Sequence, residues 1–117
     1  MISIISGTNR PNNNSLIISS ACYDILLKKG CDVQVFSLDK LPNDFIFSEM
    51  FQNHSSNYKS IVNQYIDNAD KFIFVIPEYN GGFPGILKAF IDSLDYQSLK
   101  GKKSGLIGLA SGHAGAL

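Results

Sequence analysis

The chain has 117 residues, 44% of them hydrophobic and 17% charged, which suits one globular domain with a core of its own. Ten basic side chains balance ten acidic ones, and a formal net charge of zero gives no general attraction for nucleic acid or anionic lipid. No run nears the roughly 18 apolar residues of a membrane span, and the apolar start is too short and lacks the basic lead-in of a signal peptide, so a cytoplasmic protein is expected.

The first element is a short β-branched run, Met1-Ile2-Ser3-Ile4-Ile5, which reads as a buried strand. A loop from Ser6 to Ser15 follows, and then apolar residues at Leu16, Ile17, Cys22, Ile25 and Leu26 take helical spacing. A loop between a strand and a helix start aims several backbone N–H groups at one spot, backed by the positive end of the helix dipole. That makes an anion site, most simply a phosphate site. Gly7 permits a turn that a Cβ would obstruct; Thr8 and Ser15 offer hydroxyls, Asn12 to Asn14 amides and Arg10 a guanidinium fork. The plainer alternative is a surface loop in which Asn14 or Ser15 only caps the helix. No lysine precedes Ser15 to complete a nucleoside-triphosphate loop, and no G-x-G-x-x-G follows the first strand, which leaves a mononucleotide as the natural phosphate ligand.

The helix is expected from Ser15 to Lys29, stopped by Gly30, and a second strand from Asp32 to Phe36, whose alternation marks an edge. Between Ser37 and Ser56 the pattern breaks up around Phe45, Phe47, Met50 and Phe51. These either pack on the core or line a ligand pocket or subunit contact. His54 has no functional context there and is expected to be exposed. A helix is predicted over Asn57 to Asn68, then a continuous apolar run, Lys71 to Ile76, of the kind found in a central parallel strand. Pro77-Glu78-Tyr79-Asn80-Gly81-Gly82-Phe83-Pro84-Gly85 is a second unusual loop, and it opens a helix carrying Ile86, Leu87, Phe90, Ile91 and Leu94 on one side. A fourth strand, Lys103 to Leu109, runs into a third Gly- and Ser-rich loop at Ala110 to Gly115.

Alternating strands and helices with short connections give a doubly wound parallel α/β sheet whose ligands bind beyond the carboxyl ends of the strands, where all three loops lie. Cys22 and Cys31 lack metal-ligand spacing and a nearby His pair, so they read as reduced packing residues, and no metal is expected. Tyr79 provides a flat apolar surface for a ring system, Asn80 donors and acceptors for a polar edge, and Gly81-Gly82 lets backbone come close. Glu78, Lys88 and Asp92 look structural or solvated rather than catalytic. A receiver domain is disfavoured, because the first strand ends in Ser6-Gly7 rather than in paired acids.

Across essentially its whole length the chain resembles the NADPH-dependent FMN reductase family of flavodoxin-like fold. The first loop matches that family's phosphate segment at Gly7, Thr8, Arg10, Asn13 and Ser15, with Asn13 where serine is usual. The second matches its ring-side segment at Pro77, Glu78, Tyr79, Asn80, Pro84, Gly85, Leu87, Lys88, Ile91 and Asp92. The third resembles its Gly-rich segment at Ser111 and Gly112, and leaves His113 either as a cation beside the flavin or as a solvated residue. The resemblance implies FMN held by Thr8, Arg10, Asn13, Asn14, Ser15, Pro77, Glu78, Tyr79, Asn80, Ser111 and Gly112, with no catalytic side chain needed because the cofactor carries the chemistry. It further implies NADPH or NADH as hydride donor, a quinone, flavin or other small electron acceptor, and a homodimer. Family members usually continue through a further helix, strand and helix, so the chain is expected to be a fragment or a truncated form, a single flavodoxin-like domain over residues 1–117. A flavodoxin-type electron carrier and an inactive subunit of the same fold are the alternatives; zero net charge and the lack of tryptophan speak against the carrier.

Overall fold

Four apolar runs lie side by side as parallel strands: β1 (Ile2–Ser6), β2 (Val33–Ser37), β3 (Lys71–Pro77) and β4 (Lys103–Leu109). Their order across the sheet is β2-β1-β3-β4, in a computed structural model that describes residues 1–51 and 53–112. Ile4 on β1 stands between Val35 on β2 and Ile73 on β3, and Val75 faces Ile107 on β4. The chain first steps from β1 to β2 on one side, then crosses back to place β3 on the other. The carboxyl ends of β1 and β3 therefore flank the point where the winding direction reverses.

Helices cover both faces of the sheet. The longest, α1 (Asn14–Lys28), lays Ile18, Cys22, Tyr23 and Leu26 against Ile4, Val33 and Val75. On the opposite face, α3 (Ser56–Val62) and α4 (Gly85–Asp92) bring Tyr58, Leu87 and Phe90 onto Ile5, Phe36 and Phe72. Two further single-turn helices, α2 (Phe45–Ser48) and α5 (Tyr96–Leu99), lie in the connections. Cover on both sides is why β3 reads as a continuous apolar run rather than an alternating one.

Several boundaries differ from those expected. Helix α1 and strand β2 are each displaced by one residue, and the cap of α1 is Asn13, whose Oδ1 accepts from the Leu16 N–H at 2.9 Å, rather than Asn14 or Ser15. Gly30 follows with φ at +80°, the left-handed stop that its position suggested. The helix predicted over 57–68 is α-helical only as far as Val62 and then widens into a π-helical turn, Asn63–Asp67. Lys102 closes that turn, its Nζ donating to the carbonyls of Ile66 at 2.7 Å and Asp67 at 3.1 Å. The Ile66 carbonyl also accepts from the Ala69 N–H at 3.2 Å, so Lys102 adds a second donor at this helix end.

The aromatic stretch divides between the two readings given for it. Phe45 is buried in the core, whereas Phe47 is 90% and Phe51 76% exposed. His54 is half-buried rather than exposed, its ring edge-on to Tyr58 with centroids 4.8 Å apart. Close by, the buried Glu49 carboxylate accepts from the Ser55 N–H at 3.0 Å. β4 forms the far margin of the sheet, where Leu106 is exposed. His113 lies outside the described residues.

Candidate functional site

Just past the point of reversal the chain builds a cleft of about 940 Å³ from the loops that follow β1, β3 and β4. The first loop contributes Arg10, Asn13, Asn14 and Ser15, the second Pro77, Glu78 and Tyr79, and the third Ser111. Three loops separated by up to about a hundred residues of sequence thus meet, as their shared position at the carboxyl edge predicted.

The first loop is held by its own side chains. Asn13 Nδ2 donates to the Arg10 carbonyl at 2.8 Å while its Oδ1 caps α1, so both ends of this amide are engaged within the loop. Asn12 takes φ at +54°, which asparagine tolerates better than most residues. Helix geometry gives the N–H groups of Asn14 and Ser15 no acceptor inside α1. The Ser15 hydroxyl is buried and has no hydrogen-bond partner among the described residues. An orphaned buried hydroxyl beside free helix N–H groups and a guanidinium is a donor set without its acceptor.

The second loop turns tightly. Tyr79 and Gly82 exchange backbone hydrogen bonds of 2.8 and 3.1 Å, and Asn80 and Gly81 between them have φ of +53° and +81°. The Glu78 carboxylate accepts from the Gly81 N–H, which makes it a brace for the turn. The Glu78 N–H reaches the Leu109 carbonyl at 2.7 Å and ties the second loop to the third. Arg10 spans the cleft wall, its guanidinium 5.9 Å from the centre of the Tyr79 ring.

Not every residue singled out in the sequence lines the cleft. Thr8 is fully buried beneath it, with Oγ1 2.8 Å from the Tyr79 hydroxyl. Asn80 and Gly112 are not in the lining, although each adjoins a residue that is, Tyr79 and Ser111. Asn12, offered as an amide donor, lines the cleft, and so do Ile17 and Leu109, which had been given no part in the site. Leu109 was within reach of the strand-end rule, since it is the register partner of Pro77 at the end of β4. Among the described residues no cluster of three or more His, Cys, Asp or Glu side chains could hold a metal ion, and no helix is long and apolar enough to cross a membrane.

Parallel strands in the order β2-β1-β3-β4, with helices on both faces and a cleft at the carboxyl ends of β1, β3 and β4, define a flavodoxin-like domain. The chain belongs to the NADPH-dependent FMN reductase family, whose model matches residues 1–117. It is 29% identical over 112 residues to an FMN-dependent NADPH-azoreductase of Staphylococcus saprophyticus, a match covering 93% of this chain and 60% of that protein. Over 84 residues it is 36% identical to an FMN-dependent NADH:quinone oxidoreductase of Bacillus velezensis, covering 67% of this chain and 39% of the relative. A 50-residue stretch is 50% identical to an NAD(P)H-dependent FMN reductase of Schizosaccharomyces pombe, covering 43% and 24%. Among solved structures, the apo form of an NADH:FMN oxidoreductase superposes with a TM-score of 0.79 at 25% identity, over 97% of this chain and 59% of that one. The chain therefore spans about 60% or less of the curated relatives it matches.

Proposed function

We propose that the cleft holds FMN without a covalent bond and that the protein passes hydride from NADPH or NADH to the flavin and onward to a small acceptor such as a quinone. The observation that carries this reading is the meeting of three loops in one cleft whose two ends differ in chemistry. At one end Arg10, the Ser15 hydroxyl and the first N–H groups of α1 would take the phosphate. At the other, Pro77 and Tyr79 provide apolar surface for the ring, with Glu78 and Ser111 in the lining to meet its polar edge, and Asn80 and Gly112 would assist from the adjoining positions. Asn13 and Thr8 support this arrangement from within the loops. When bound, the flavin supplies the redox chemistry; the side chains of this chain hold it, orient it and shield it.

A cytoplasmic setting accords with the need for a nicotinamide nucleotide. A homodimer is the assembly we propose, with the exposed Phe47 and Phe51 as contact residues; apolar groups of that size are costly to leave in water.

Reconstitution tests the reading. Protein mixed with FMN and passed through a desalting column should stay yellow with one flavin per chain, and should oxidise NADPH or NADH when a quinone is supplied. A colourless eluate without nicotinamide oxidation refutes it.

A further inference from the structure

We infer that Thr8 is a positioning residue that fixes the ring-side tyrosine, and is not itself a phosphate ligand, although it sits within the phosphate segment of the sequence. This rests on the flavin reading of the cleft. The Thr8 side chain is fully buried and is absent from the cleft lining to which Arg10, Asn13, Asn14 and Ser15 all belong. Its one hydroxyl is already committed: Oγ1 accepts from the Arg10 N–H at 3.2 Å and shares a 2.8 Å hydrogen bond with the Tyr79 hydroxyl, 71 residues away.

Those two partners are the residues that shape the cleft from opposite loops. Tyr79 is anchored at its backbone by the paired hydrogen bonds to Gly82, so the bond to Thr8 fixes the far end of the same side chain. A phenol ring held at both ends cannot swing about its χ1 axis, and the apolar face it offers the isoalloxazine is set before the ligand arrives. Arg10 completes the arrangement, its backbone held by Thr8 and its guanidinium over the Tyr79 ring. One buried hydroxyl thereby couples the anion end of the cleft to the ring end.

A phosphate ligand and a positioning residue differ in how they treat riboflavin, which has the ring but no phosphate. Binding of FMN and of riboflavin is followed by quenching of flavin fluorescence in the whole chain and in the Thr8→Val, Thr8→Ser, Tyr79→Phe and Thr8→Val/Tyr79→Phe variants. Thr8→Val should weaken both flavins, by about five- to a hundredfold for the two hydrogen bonds that Oγ1 makes. Thr8→Ser should restore both, and the double variant should bind no more weakly than the weaker single one. Weakening of FMN alone, or additive losses in the double variant, overturns the inference.

A parallel cycle uses flavin-free protein and reads the thermal midpoint of the same four variants. Non-additive shifts support the Thr8–Tyr79 link, and additive shifts overturn it. If the unmodified chain binds neither flavin, the functional reading fails, while this second cycle still decides the role of Thr8 in holding Tyr79.

Discussion

The backbone N–H of Gly7 donates to the carbonyl of Val75 at 2.8 Å, and a Cβ on Gly7 would stand 2.9 Å from that same oxygen. β1 therefore stays bonded to β3 one residue beyond its last strand position, right where the first loop departs. The glycine is required by this close approach and not by an unusual turn. Gly7→Ala should cost about 1–3 kcal/mol of stability, since the obstacle is backbone and cannot step aside. Urea unfolding of both forms would show it, and FMN retention should fall with it because the loop is displaced.

Arg10 is the charged side chain of the first loop, and it lines the cleft. Arg10→Ala should weaken FMN by roughly ten- to a hundredfold, from about 1.5–3 kcal/mol for a charge-assisted hydrogen bond. Riboflavin should lose far less, and raising the salt concentration should narrow the gap between the two flavins. Fluorescence titrations at two ionic strengths measure this.

The Asn13 amide caps α1 while bracing Arg10. Asn13→Ala should remove about 1 kcal/mol of stability through the lost cap. Asn13→Ser keeps a capping oxygen and should lie within a few tenths of a kcal/mol of the parent protein. Thermal unfolding of the three forms separates these outcomes.

Tyr58 shares a hydrogen bond with Ser93 in the core, and burial pushes its phenol from 10.0 up to about 12, with the neighbouring Glu49 adding to the rise. In the unfolded chain the phenol loses its proton near its ordinary value, while the folded protein keeps it. Between those two values the folded state binds more protons, so stability is intact below about pH 10 and declines as pH rises toward 12. Tyr58→Phe should flatten this alkaline decline, as followed by the unfolding midpoint between pH 9 and 12.

The exposed Phe47 and Phe51 provide the test of self-association. Sedimentation should find a dimer of the parent chain, and Phe47→Glu should convert it to monomer without altering the far-ultraviolet dichroism. A parent chain that stays monomeric at high concentration counts against the dimer.

Much of the architecture was legible because burial on both faces writes long apolar runs: Phe72 to Ile76 announces a central strand, and Leu87 with Phe90 marks the buried side of α4. The three loops were legible from composition and from their shared place after strands. What escaped depends on which partner a side chain finds, near or far in sequence. A threonine reads as a donor to ligand until Tyr79 is found against it. Asn13 reads as a ligand-facing amide until its two ends are seen occupied. The widening of the helix after Val62 has no local marker, since the lysine that meets its last carbonyls comes 35 residues or more later. Phe45 and Phe47 are two residues apart in one helical turn and point to opposite fates, core and solvent, which composition does not separate.

The brace across the second loop bears on how the protein ages. Asn-Gly is the sequence most prone to spontaneous deamidation, which begins when the glycine nitrogen gives up its proton and attacks the asparagine side-chain carbonyl. Here the Gly81 nitrogen already donates to the Glu78 carboxylate, and a neighbouring negative charge opposes loss of that proton. The Asn80-Gly81 pair should thus outlast the same dipeptide in an unstructured chain, and removing the Glu78 carboxylate should start a clock of one-dalton mass gains at the rim of the cleft.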